Sequence, residues 1–221
     1  AAAIGALVER ARAYVPGVIV VDDGSTDATG SVALAAGARV ERHRRNLGKG
    51  AALRTGLAQA SALGFRWAIT LDGDGQHSPE EIPAFMERAV DTGAALVVGN
   101  RTADAARMPW VRRAVNRWMS RQLSRLASLP LPDSQCGFRL LRLDAWSRLR
   151  IECDRFEIES EIILAFARAG FPIEFVSVPV IQSARPSRIR ALPDTLRWLR
   201  WWREATRPVR PPVGRSLPRT V

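Results

Sequence analysis

Two carboxylates one residue apart, Asp72 and Asp74, follow the apolar run 66–71 with only Gly73 between them. At a strand end such a pair can share a hard divalent cation, Mg²⁺ or Mn²⁺, whose shell substrate phosphates complete. The amide oxygen of Gln76 can join them. A plain acidic turn would use the same residue types, since Asp and Gly favour turns. A second acidic cluster, Asp22-Asp23-Gly24-Ser25-Thr26-Asp27, follows the run 18–21. Its carboxylates can accept hydrogen bonds from ribose hydroxyls or a base N–H, while Ser25 or Asp27 can cap the helix that follows. Asn46-Leu47-Gly48-Lys49-Gly50 opens another helix. Its glycines allow backbone to approach a ligand, a helix start favours anions, and Lys49 can reach a phosphate. No Ser or Thr follows the lysine, so this is not a Walker loop. Asp133-Ser134-Gln135-Cys136-Gly137-Phe138-Arg139 offers Arg139 to grip an anion and Ser134 to donate to it; a structured loop with a surface arginine is the plainer reading. His43 and His77 have no second histidine at ligand spacing and read as loop residues. Cys136 and Cys153 read as small packing residues rather than nucleophiles.

These clusters need elements to bring them together. Strand patterns fall at 18–21, 39–42, 66–71, 95–99, 138–141 and 173–181. Helical patterns fall at 1–14, 25–36, 47–63, from Pro79 onward, and at 108–128, 156–169 and 193–207, with Gly37, Gly64 and Gly170 as stops. The alternation predicts an α/β fold with a mainly parallel central sheet. Ligands of such sheets bind at the carboxyl ends of strands, which places Asp22-Asp23, Asp72–Asp74 and Gly99-Asn100-Arg101 on one rim.

Of 221 residues, 47% are hydrophobic and 25% charged, which excludes a chain disordered throughout. No apolar run approaches the roughly 18–20 residues of a membrane span. Two cysteines make no disulfide framework, so a reducing compartment is expected. Residues 182–221 carry ten arginines against two acids, most of the net charge of +11. That imbalance points to an anionic partner, a membrane surface or nucleic acid. In the basic, Trp-rich segment 182–207, Leu192, Leu196, Leu199 and Trp202 share one helical face while Arg197, Arg200 and Arg207 lie away from it. This suits a bilayer interface, or a core-packing helix with a solvated face. The helix at 108–128 has the same character: Arg113, Arg117, Arg121 and Arg125 at four-residue spacing, Trp110, Val111, Val115, Trp118 and Leu126 on its other side. No nucleic-acid module is present, and two acidic clusters would repel phosphate without a metal, so no nucleic-acid partner is expected. The proline-rich tail 208–221 is expected to be disordered.

In order along the chain, VIVVDDGSTDAT, NLGKGAALRTG, ITLDGDGQHSPEEIP, VVGNR, DSQCGFRLL and FEIESEIILAFARAG resemble glycosyltransferase family 2, closest to its dolichol-phosphate mannosyltransferase-like branch. The resemblance spans residues 1 to about 200. It implies a GT-A nucleotide-sugar-binding sandwich over residues 1–181. Asp22, Asp23, Gly24, Ser25 and Lys49 would then face the donor, and Asp72, Asp74 and Gln76 would surround the metal and diphosphate. Arg101 would lie near the phosphates of donor or acceptor. Ser134 and Arg139 would lie near the acceptor, with Glu159 and Glu161 on the floor. Family members begin with a strand ending in a Pro-Ala-Tyr-Asn-Glu-like segment. Here residues 1–14 resemble the helix after it, so that first strand is expected to be absent and the sheet to carry a gap. The family inverts. Hydroxyl-accepting relatives carry a Glu-Asp pair as base, and none lies between residues 100 and 160. A lipid phosphate needs none, being already ionised. The expected reaction is therefore transfer from a GDP- or UDP-sugar to a polyprenyl phosphate. It would take place peripherally on the inner, cytoplasmic face of the cytoplasmic membrane, with Asp74, Arg101 and Arg139 as catalytic groups. A hydroxyl acceptor, with Asp133 or Glu159 as base, is the alternative. A nucleotidyltransferase on a similar fold is disfavoured by the GFR-type loop.

Overall fold

The computed structural model of the protein describes residues 2–181 and 191–206. They fall into two compact units, Ala1–Arg188 and Ile189–Val221.

The first unit runs α1 (Ala2–Ala11), β1 (Ile19–Asp22), α2 (Thr29–Ala35), β2 (Arg39–Arg42), α3 (Lys49–Ala62), β3 (Trp67–Thr70), α4 (Ile82–Thr92), β4 (Leu96–Asn100), α5 (Trp110–Ala127), β5 (Arg139–Arg142), α6 (Leu143–Trp146), α7 (Ile158–Arg168) and β6 (Ile173–Ser177). β1 and β2 pair in parallel. The other strands form a sheet in the order β3-β5-β4-β6. β3, β4 and β6 run one way and β5 lies antiparallel between β3 and β4. The antiparallel strand matters to the site. Because β5 runs backwards, the loop before it arrives at the same rim as the loops that leave β3 and β4, and Arg139 sits opposite both Thr70 and Val98. Among the described residues the two sheets share no strand pair, so β1 and β3 each keep an open edge. That is the gap the sequence leads one to expect.

β4 is the centre of the core. Leu96, Val97 and Val98 are fully buried, as an apolar run covered on both faces should be. Leu140 and Leu141 of β5, Phe85 of α4, and Ile158, Ile162, Ile163 and Phe166 of α7 complete it. Phe85 packs on Phe138 at 4.4 Å between ring centroids. A smaller cluster of Val8, Ala33 and Ala38, with Ile4, Val18 and Val20 against it, joins α1 and α2 to the β1–β2 pair.

Several boundaries differ from expectation for local reasons. α2 begins at Thr29 rather than residue 25, because Asp22 Oδ1 accepts the Ser25 N–H and Asp27 Oδ1 accepts that of Thr29, which holds 22–28 as a turn. Pro79 opens a single 3-10 turn, Pro79–Glu81, before α4. β6 stops at Ser177, two residues before Pro179, which has no N–H for a ladder. The 3-10 turn Thr102–Arg107 and the short α6 carry no apolar periodicity long enough to be read in advance.

The second unit contains α8 (Ala191–Ala205). Within it Trp198 packs on Trp201 and Trp202, Arg197 pairs with Asp194, and Leu196 is exposed. Arg207, residues 182–190 and the tail 208–221 lie outside the described residues. Among the described residues no helix is long and apolar enough to cross a membrane.

Candidate active site

The site forms where β1, β3 and β4 end. Asp22, the last residue of β1, is buried and accepts the Ser25 N–H at 2.9 Å, with Arg42 Nε 3.5 Å from its other oxygen. Gly24 makes the turn after it at φ 73°, where the backbone of Arg45 leaves no room for a Cβ. Asp23 organises the next loop: its carboxylate accepts the N–H groups of Leu47 and Gly48, both at 2.8 Å, and His43 Nδ1 at 2.7 Å. Burial would raise this carboxyl, but the histidine and the two amides outweigh it and hold it below the usual range. His43 Nε2 meets Thr55 Oγ1 at 3.0 Å, tying the loop to α3.

The glycines around Lys49 serve the chain itself. Gly50 N–H donates to Asp154 O at 2.7 Å, and a Cβ on Gly50 would stand 2.1 Å from Cys153 O. The start of α3 is thus capped by the backbone of 153–154, in the place where the sequence suggested a ligand. Lys49 reaches into the rim. Its Nζ lies 2.7 Å from Asp72 Oδ1 and 2.6 Å from Glu159 Oε1 in the first turn of α7, beneath the ring of Phe156. Burial disfavours its charge, yet the two carboxylates prevail and its pKa is raised. Asp72, whose burial alone would raise it, is pulled down to about 2 by Lys49, with a smaller contribution from His77. Gly137 passes directly over this group: a Cβ there would lie 2.8 Å from both Asp72 Oδ2 and Lys49 Nζ and 3.0 Å from Glu159 Oε1. Thr70 Oγ1 donates to Gly137 O at 2.8 Å and fixes that approach.

Asp74 is exposed at the tip of the turn and accepts the Gln76 N–H at 3.0 Å. His77 is not an ordinary loop residue. It is buried, stacks on Phe138 at 5.1 Å, and its Nδ1 accepts the Asp72 N–H at 3.0 Å. An amide can only donate, so Nδ1 is unprotonated, and desolvation lowers the pKa of the ring, keeping it neutral. His77 therefore sets the backbone that carries Asp72.

Arg101, at the end of β4, and Asp133 form a buried two-pronged pair: Nε to Oδ2 at 2.7 Å and Nη2 to Oδ1 at 3.0 Å, with the Arg101 N–H at 3.2 Å. Burial would raise Asp133, and Arg101 overrides it downward. The pair pins both ends of the excursion that carries α5. Ser134 is buried, bonded to Ser120 and Gln135. Arg139 is placed otherwise than the sequence suggested. Its guanidinium is buried and donates to the carbonyls of Cys136 (2.8 Å), Glu159 (2.6 Å) and Ser134 (3.0 Å), so it braces the loop instead of facing an acceptor. Glu161 turns from the floor to accept the N–H groups of Glu152 and Cys153. Arg112 is the cation that sequence reading missed. It lies in electrostatic range of Arg101, Asp74, Glu159 and Asp133, with its pKa lowered by burial first and by Arg101 next. The signal was its position 7 and 11 residues before the buried Met119 and Leu123, on the inward stripe of α5.

Among the described residues no three His, Cys, Asp or Glu side chains converge as a closed metal cage. The donor set fits the other mode of holding Mg²⁺ or Mn²⁺: one or two carboxylates, here an ionised Asp72 and an exposed Asp74, with substrate phosphates completing the shell.

The glycosyl transferase family 2 model matches residues 1–150. The chain is 32% identical over 180 residues to the polyprenol monophosphomannose synthase of Mycolicibacterium smegmatis, covering 76% of this chain and 67% of that one. It is 30% identical over 217 residues to the undecaprenyl-phosphate mannosyltransferase of Micrococcus luteus, covering 86% and 85%. Among solved structures, glucosyl-3-phosphoglycerate synthase from Mycobacterium tuberculosis in complex with Mn²⁺, UDP and phosphoglyceric acid matches with a TM-score of 0.69 at 22% identity, over 92% of this chain and 72% of that one. The chain belongs to glycosyl transferase family 2, in its dolichol-phosphate mannosyltransferase-like branch, and is a glycosyltransferase.

Proposed function

We propose that the protein transfers a sugar from a nucleoside-diphosphate sugar to a polyprenyl phosphate at an anionic membrane surface. The observation that carries the choice of acceptor is the employment of the carboxylates. Asp133 and Glu159, which a hydroxyl acceptor would need as base, are both held in ion pairs, with Arg101 and Lys49. An acceptor that is already an anion needs a cation instead, and Arg112, next to the buried Arg101–Asp133 pair, is in place to offer one. The relatives named above act on polyprenol or undecaprenyl phosphate by their names.

In this reading a phosphate oxygen of the acceptor attacks the anomeric carbon from the face opposite the diphosphate. The carbon–oxygen bond to the diphosphate breaks, and the nucleoside diphosphate leaves with the electron pair. Asp72 and Asp74, with Gln76 beside them, would hold a divalent cation, which would supply neutralising charge to that leaving group. Asp22 and Asp23 shape the nucleoside side of the rim, Gly24 and Ser25 form its turn, and His77 holds the Asp72 backbone in place. Ser134 and Arg139 support the acceptor side through the loop they brace.

α5 supports the membrane. Residues 105–132 contain six arginines and no acid. Its outward face carries Trp110 (74% exposed), Val111, Arg117, Arg121 and Arg125. Arginines flanking exposed tryptophan suit an anionic interface, at about 1 kcal/mol per basic residue near the surface.

The test incubates the protein with Mn²⁺ or Mg²⁺, polyprenyl phosphate and radiolabelled GDP- and UDP-sugars, and counts label in the organic phase, with Asp74→Ala as control. Cation-dependent label in lipid, lost in the variant, is expected. Cation-dependent donor hydrolysis with no lipid label would overturn the acceptor and favour a hydroxyl.

A further inference from the structure

Lys49 stands between two carboxylates that a divalent cation would contest. Its ammonium lies 2.7 Å from Asp72 Oδ1 and 2.6 Å from Glu159 Oε1. The three side chains come from three places, the start of α3, the turn after β3 and the first turn of α7. The backbone at Gly137 closes the group so tightly that a single added carbon would meet all three. Of the three, the lysine is best able to leave, because its charge rides on a flexible four-carbon stem. Glu159, only 7% exposed in its side chain, has no comparable freedom.

We propose that Lys49 is the resident counter-ion of the Asp72–Glu159 pair and keeps a divalent cation off Asp72 until the diphosphate of a donor draws the ammonium away. Cation and nucleotide then bind as a coupled pair, each strengthening the other by the same factor. The inference rests on the reading of Asp72 and Asp74 as cation ligands. Its physical basis is charge balance. With Lys49 in place one of the two negative charges is already balanced, and a divalent ion that takes Asp72 Oδ1 must displace that unit charge. Without Lys49, two carboxylates are left facing each other in a partly buried site, an arrangement that favours any available cation.

The test measures Mn²⁺ affinity by the electron paramagnetic resonance of free Mn²⁺, on the whole chain, with and without GDP or UDP. Wild type is expected to bind Mn²⁺ weakly alone and at least tenfold more tightly with the diphosphate. Lys49→Met is expected to bind Mn²⁺ alone at least tenfold more tightly than wild type, and Lys49→Met/Asp72→Asn to lose that gain. Lys49→Gln repeats the test should Lys49→Met fail to fold, as judged by circular dichroism. A lysine variant whose Mn²⁺ affinity without nucleotide equals or falls below that of wild type overturns the proposal. Wild type that binds no Mn²⁺ even with either diphosphate overturns the cation reading itself, and with it this inference.

Discussion

Replacing Asp133 by Ala removes the acceptor for the Arg101 N–H, Nε and Nη2 and for the Gln135 N–H, and leaves a guanidinium only 8% exposed without its counter-charge. Breaking a buried pair from one side costs about 3–5 kcal/mol, mostly because the surviving charge stays buried. For a unit of this size that is a fall in Tm of roughly 6–20 °C. Asp133→Asn should lose nearly as much, since its amide turns an N–H₂ toward the guanidinium. Replacing both partners, Arg101→Met with Asp133→Leu, should recover most of the stability, because two apolar side chains leave no uncompensated charge. Urea and thermal unfolding of wild type, Arg101→Met, Asp133→Leu and the double variant give the double-mutant cycle. If Asp133 were instead a free general base, Asp133→Asn would abolish turnover at wild-type stability. An Asp133→Ala protein within about 1 kcal/mol of wild type would refute the clamp.

Three further outcomes follow from the geometry. His77 is held neutral, its pKa lowered from 6.5, so its contribution to stability is full above about pH 6.5 and is lost as pH falls through the lowered folded value. The stability slope between pH 7 and pH 5 should flatten in His77→Gln, and an unchanged slope would assign the titration to another group. Gly137→Ala pushes apart the ends of Asp72, Lys49 and Glu159, so turnover should fall about a hundredfold for a displacement near 1 Å, with unfolding free energy nearly unchanged; wild-type turnover would show that the group is not needed as built. Gly50→Ala meets a backbone oxygen at 2.1 Å, where no side chain can yield, and should cost about 3 kcal/mol in chemical denaturation. A wild-type midpoint would contradict the close packing of α3 on 153–154.

The elements were legible because the chain punctuates them. β1 and β4 are short apolar runs that end in Asp22 and Asn100, β3 runs out into Asp72, and α2, α3 and α7 stop just before Gly37, Gly64 and Gly170. The rim followed from that alternation alone. What each side chain does there was less legible, because partners are set by tertiary contacts. Arg139 reads as a surface arginine until β5 is known to lie between β3 and β4, which buries its whole length. Asp133 meets Arg101 across an excursion of more than 30 residues that no local spacing encodes. His77 has a backbone N–H as its partner, which no pattern of side-chain types can announce. Arg112 was within reach, since a charged residue on the apolar stripe of a helix is itself a signal.

The carbonyl cage around Arg139 has a kinetic consequence. One guanidinium ties the 134–136 loop and the first turn of α7 to a strand hydrogen-bonded on both sides. The oxygens that accept its hydrogen bonds are all peptide carbonyls, which neither titrate nor exchange with salt ions as a carboxylate would. These segments cannot fray one at a time. Their amides should exchange with solvent as a single cooperative unit, at a rate set by the opening of the central sheet and nearly indifferent to ionic strength.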